Sequence, residues 1–188
     1  MIFASVAVAE AQLPVTLAGL QKALGKYQEM ESLEVDFHQI KSLKDVQIQL
    51  ESSGHLSVSE SNRIEWKVFK PEPLKVVLEN NTISVGLNGK SETFHAGDGP
   101  SGKDREGMND LLNWLKLDAQ AIMKSYDVTR LKTSTYRFVS KKKQSTLISL
   151  NMQLSNAGYV SKLTFYEASG DEIEITFAQP KIKSLRKQ

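Results

Sequence analysis

Apolar and polar residues alternate with a period of two from Leu33 to Val85, and the alternation returns in the last third of the chain. A strand puts residues i and i+2 on one face, whereas a helix scatters them, so this period commits the chain to β-structure. Val35 and Phe37 share one face, as do Val46, Ile48 and Leu50, then Leu56 and Val58. Ile64, Trp66 and Val68 follow, then Val76 and Leu78, then Ile83 and Val85. Gly54 reads as a turn or bend, and Asn62 as a turn. Pro71 and Pro73 break the ladder between Phe69 and Leu74. Asn80-Asn81 and Asn88-Gly89 carry two-residue turn signals. Later, Tyr136 and Phe138 alternate, as do Ile148, Leu150, Met152 and Leu154, and then Ile173, Ile175 and Phe177. Val160, Leu163 and Phe165 show a phase slip, and Pro180 ends the predicted sheet. Turns are expected at Lys141 to Lys143, at Asn156-Ala157-Gly158 and at Ser169-Gly170-Asp171.

Two segments depart from this period. Leu17, Leu20, Leu24 and Tyr27 recur at helical spacing, which predicts an amphipathic helix from Pro14 to Met30 with Thr16 as its cap or Pro14 in its first turn. Leu111, Leu112, Leu115, Ile122 and Met123 predict a second helical region from Met108 to Tyr126, kinked near Leu117-Asp118. Ala96 to Gly107, rich in Gly, Asp, Ser and Lys, predicts a mobile loop. The sum is a mainly β fold with helices (α+β), holding nine to eleven antiparallel strands. A sheet of that size curls. The helices then either cover a hollow as a lid or fill the core outright, and the sequence leaves both readings open.

A chain of 188 residues suffices for one domain with a sizeable core. Its net charge of +2 lacks the basic excess of a nucleic-acid binder. Lys141 to Lys143 and the tail from Lys181 to Lys187 read as a solvated turn and a frayed end, or as a surface that meets anionic membrane. With no cysteine, disulfides, thiol catalysis and cysteine-based metal sites are excluded. Residues 1–11, MIFASVAVAEA, form an apolar run ending in small-x-small, and no Lys or Arg precedes it. This is the remnant of a signal peptide or an unrelated apolar leader, with the folded domain expected over 12–188. No other segment approaches the roughly 18 apolar residues of a spanning helix.

Enzyme chemistry finds little support. His38, His55 and His95 lack the spacing of a zinc motif, and Asp98, Asp104 and Asp110 do not match a calcium loop. There is no Gly-x-Ser-x-Gly elbow, and Asn88-Gly-Lys90-Ser91 lacks the leading glycines of a phosphate loop. No cofactor or metal is expected.

Phe37-His-Gln39, Gly54-His-Leu56, Ile64-Glu-Trp66, the segment from Pro71 to Pro73 and the strand to Leu78 together resemble the outer-membrane lipoprotein carrier family, the LolA-like periplasmic chaperones of Gram-negative bacteria. Tyr136-Arg-Phe138 and the closing hairpin from Lys162 through Gly170 to Phe177 extend the resemblance. It implies an unclosed antiparallel barrel, helices over its opening, and a cavity that shields acyl chains in the periplasm. The expected lining is Leu56, Val58, Ile64, Trp66, Val76, Leu78 and Ile83. The expected cover is Leu20, Leu24, Leu112, Leu115 and Met123. The implied partners are lipoprotein or glycolipid acyl chains, an inner-membrane donor complex and an outer-membrane acceptor, with the carrier itself a monomer. Two features depart from the family pattern. Its Arg-Pro pair corresponds to Glu60-Ser61 here, with Arg63 offset, and the chain stops soon after Phe177. They point toward a paralogue with another acylated or glycolipid cargo. Two further readings stand beside a carrier: a non-catalytic envelope module that binds or senses a protein, and an enzyme acting on lipid.

Overall fold

The computed structural model describes residues 13–28, 30–59, 63–79, 82–87, 89–95, 114, 117–143 and 145–184. The expected leader, the loop from Ala96 to Gly107, Leu112, Leu115, Glu60 and Ser61 lie outside them.

The chain forms a mixed α+β fold built on one antiparallel sheet that does not close into a barrel. Its strands are β1 (Leu13–Pro14), β2 (Met30–Leu43), β3 (Ile48–Val58), β4 (Ile64–Lys70), β5 (Leu74–Glu79), β6 (Thr82–Leu87) and β7 (Lys90–His95). There follow β8 (Tyr126–Lys132), β9 (Thr135–Ser140), β10 (Leu147–Leu154), β11 (Val160–Glu167), β12 (Glu172–Phe177) and β13 (Lys181–Ser184). The helices are α1 (Leu17–Ala23), α2 (Gly25–Gln28) and α3 (Ala119–Ser125). The strand order is β1-β8-β9-β10-β11-β12-β2-β3-β4-β5-β6-β7, and β13 also pairs with β2. Strand β2 is the spine. One edge pairs with β3 from Leu33 to Leu43, and the other takes β12 over Phe37 to Ser42 and then β13 over Met30 to Glu34.

The inward face follows the alternation. Val35 pairs with Leu56, Leu56 with Trp66, Trp66 with Val76 and Val76 with Val85, so one apolar row crosses β2 to β6. Helix α1 begins where Thr16 Oγ1 accepts from Gly19 N at 3.1 Å. Leu20 and Leu24 are fully buried in a single core with strand residues and α3's Ile122. Asp118 caps α3 by accepting from the amides of Gln120 and Ala121.

Several expectations are corrected. The leading helix is two short ones broken at Leu24-Gly25, and Pro14 pairs with Thr129 in a strand. Gly54 is not a turn but lies inside β3, where a Cβ would sit 1.9 Å from Lys67 O and 2.7 Å from the Phe37 ring. Only glycine lets β4 and Phe37 approach that closely. Beside it, Phe37 and Trp66 stack with centroids 3.9 Å apart. Val46, Ile48 and Leu50 do not belong to a half-buried strand: they are 59%, 49% and 52% exposed, at the end of the β2–β3 hairpin beyond the core. Pro180 does not end the sheet, since β13 follows it. The second helical region yields to a strand at Tyr126, where β8 begins.

Candidate functional site

A cavity of about 140 Å³ lies between the helical side and the middle of the sheet. Its sheet wall is built from the inward positions of three strands: Leu33 and Val35 of β2, Leu56 and Val58 of β3, and Ile64 of β4. Val160 and Leu163 of β11 and Phe177 of β12 continue that wall on the other side of β2. Tyr27 of α2, Trp114 and Leu117 form the opposing wall. Four described lining side chains carry polar atoms: Tyr27, Glu31, Ser59 and Trp114.

Helix α2 is fastened at the rim. Tyr27 Oη accepts from Val160 N at 2.5 Å, and the Tyr27 ring meets Tyr159 edge-on at 6.0 Å. Burial pushes the Tyr27 hydroxyl up to about 12, so it stays protonated across the physiological range. Lys26 adds a hydrogen bond to Ala157 O and lies 5.0 Å from the Tyr159 ring centroid. At the other rim, Glu31 pairs with Lys183 of β13 at 2.8 Å.

Of the expected lining, Leu56, Val58 and Ile64 line the cavity. Trp66, Leu78 and Ile83 are buried in the surrounding core, and Val76 is partly buried against it. Leu20 and Leu24 are fully buried, and Met123 packs on the same core. Sequence reasoning missed Trp114, which is 1% exposed and packs edge-on against Phe138 at 4.5 Å and Tyr126 at 5.2 Å. Its spacing of three from Leu111 was the available signal. Tyr27 was read as part of the helix's apolar face, but its hydroxyl's role at the rim was not foreseen. Arg63, offset from the family's arginine, pairs with Glu79 at 2.8 Å and lies 3.8 Å from Glu65.

The outer face of β4 to β7 carries a second concavity, an open groove of about 790 Å³ lined by Lys67, Lys75, Ser84, Gly86 and Ser91, among others. On that face Glu65 Oε1 lies 2.8 Å from Lys67 Nζ and 2.7 Å from Lys75 Nζ. Hydrogen bonds from the two ammonium groups hold the Glu65 carboxyl at about 2, below its ordinary 4.5.

No cluster of metal-ligating side chains occurs among the described residues, and no helix among them is long and apolar enough to cross a membrane. The cavity's described lining contains no histidine.

An open, curved antiparallel sheet with short helices over an apolar hollow defines a carrier-type α+β fold. The chain belongs to the LolA family: the family's sequence model, described as outer membrane lipoprotein carrier protein LolA, matches residues 28–188. Its members are non-catalytic periplasmic carriers and chaperones. Solved structures similar to this chain include a LolA superfamily protein from Nitrosomonas europaea, with 10% identity, TM-score 0.46, and coverage of 88% of this chain and 94% of that one. A Vibrio parahaemolyticus outer membrane lipoprotein-sorting protein domain has 10% identity and TM-score 0.45, with coverage of 91% and 94%. The Pseudomonas aeruginosa MucA/MucB complex contains a chain with 12% identity and TM-score 0.48, with coverage of 90% of this chain and 59% of that one. No curated protein matches the sequence.

Proposed function

We propose that this chain is a periplasmic carrier that shields the acyl chains of a lipoprotein or another lipid on the way to the outer membrane. The observation that carries this reading is the apolar cavity enclosed between helix α2, Trp114 and the middle strands. The work is physical rather than covalent, with roughly 0.8 kcal/mol for each methylene removed from water. At about 140 Å³ the cavity is the size of one that admits benzene, far smaller than a full acyl chain. Uptake therefore requires the helices to move off the sheet, which uncovers Leu20, Leu24 and the inward face of Leu56, Trp66, Val76, Leu78 and Ile83. Met123 belongs to the same cover. Repacking that cover keeps net affinity low enough for release.

In this reading residues 1–11 are a spent signal segment, and 12–188 act as one monomeric domain. An inner-membrane complex loads the carrier and an outer-membrane acceptor empties it, without nucleic acid or cofactor. The altered Arg-Pro position suits a divergent paralogue. Native mass spectrometry of protein purified gently from periplasm, followed by organic extraction, tests the reading. A stoichiometric lipid or acylated peptide is the expected result. Trp66→Glu, which puts a charge among apolar neighbours, is expected to abolish uptake in a folded protein, checked by circular dichroism and lipid titration.

The exposed row Val46, Ile48 and Leu50 favours a second reading, a non-catalytic envelope module that binds or senses a protein through its surface. A protein that comes out empty and takes up no added acyl ligand would favour it.

A further inference from the structure

Trp114 Nε1 is a buried donor with no acceptor among the described residues, and the side chain that carries it is 1% exposed and lines the cavity. A buried N–H without a partner is costly and uncommon in native structures. Acceptor-bearing side chains do share the lining, namely Tyr27, Glu31 and Ser59, but Nε1 makes no hydrogen bond to any of them.

We propose that Trp114 Nε1–H is a recognition group for the carbonyl of an acyl ligand, so that the cavity selects ester- or amide-linked chains over plain hydrocarbon or ether-linked ones. The inference rests on the carrier reading and deepens it. A pure hydrocarbon would leave the donor unsatisfied, whereas an acyl carbonyl brings one acceptor attached to an apolar chain. The edge-on packing of the indole on Phe138, at 81°, and on Tyr126, at 64°, holds the ring in place and leaves little rotamer freedom to lose on binding. Glu31 and Ser59, which share that lining, suit the hydroxyl or N–H groups that lie near such a carbonyl in glycerolipids and acylated cysteine.

The test compares 1,2-dioctanoylglycerol with its dioctyl ether analogue on delipidated full-length protein. A synthetic triacylated cysteine peptide is run alongside to separate a free lipid from an acylated protein as the source of the carbonyl. Wild type is expected to bind the ester about 5–10-fold more tightly than the ether, the worth of one buried hydrogen bond. Trp114→Phe keeps an aromatic ring, removes the donor and should erase that ratio while still binding both. Because the chain has 2 tryptophans, the indole ¹H–¹⁵N spectrum offers a readout that needs no variant. The Trp114 resonance should move downfield with ester or lipopeptide and stay put with ether. Equal affinities together with an unmoved indole resonance would overturn the proposal and leave the carrier reading intact, with the N–H directed at the Phe138 ring instead. Failure to bind ester, ether and lipopeptide alike would overturn the carrier reading, and this inference with it.

Discussion

The two wings of the sheet share one sequence pattern but not one degree of burial. In the wing from β8 to β12, Phe138, Leu150 and Met152 are fully buried beside Leu20, Leu24 and Ile122 of the helices. In the wing from β4 to β7, Ile64, Trp66, Leu78 and Ile83 are buried as well, but Val68, Val76 and Val85 are only partly buried, and Leu87 is 45% exposed. Alternation makes a strand, but a partner surface makes a core, and the short helices are partner to only part of this sheet. The cavity lies at the seam, with walls drawn from β2 to β4 on one side and from β11 and β12 on the other. The filled wing thus holds the fully buried positions, and the thinner wing keeps several half-buried ones among its core residues.

That contrast is broken most directly by truncation. Phe138→Ala should cost about 3–5 kcal/mol in urea unfolding, because it empties a site closed by Trp114 and Leu150. Val76→Ala, on the thinner wing, should cost about 1 kcal/mol, the worth of little more than one methylene. Equal losses would mean that the wings are packed alike. Gly54→Ala falls between them, at about 1–3 kcal/mol, because the new Cβ collides with Lys67 O and forces β3 from β4. Since the backbone beside Phe37 and Trp66 moves with it, ligand uptake should fall too, measurable in the same lipid titration.

The strands were legible because period two survives any choice of fold, and Val35, Leu56, Ile64 and Trp66 face inward as their spacing requires. Where the cover stops was not legible: Ile48 and Leu50 alternate just as Leu56 and Val58 do, and only three-dimensional placement leaves the first pair in water. Gly54 was misread because the lack of a side chain serves a turn and a close approach equally well. Tyr126 and Val128 were hidden because the helical spacing of Ile122 and Met123 runs straight into them. In the site, Leu56, Val58 and Ile64 could be read from one strand face. Trp114 and Tyr27 act through contacts with Phe138 and Val160, residues distant in sequence that no local period predicts.

The smallest effect probes the outer surface of the thinner wing. Lys67 and Lys75 face each other directly across β4 and β5, a like-charge pairing that would repel without Glu65 between them. The Glu65 carboxyl sits at about 2 in the folded chain against an ordinary 4.5, so its contribution is complete above pH 4.5 and is lost as pH falls toward 2. Both lysines are nearly half exposed, at 42% and 48%, so water and salt screen most of the attraction. Glu65→Gln should therefore lower stability by only about 0.5–1 kcal/mol at pH 7. The deficit should shrink in molar salt and be much reduced at pH 2, where the wild-type carboxyl is about half protonated. Urea midpoints of the two proteins at pH 7, 4.5 and 2 give the comparison. A deficit that persisted in full at pH 2 would assign the role of Glu65 to packing rather than charge, and the outer face of this wing would then be held as the other wing is, by contact.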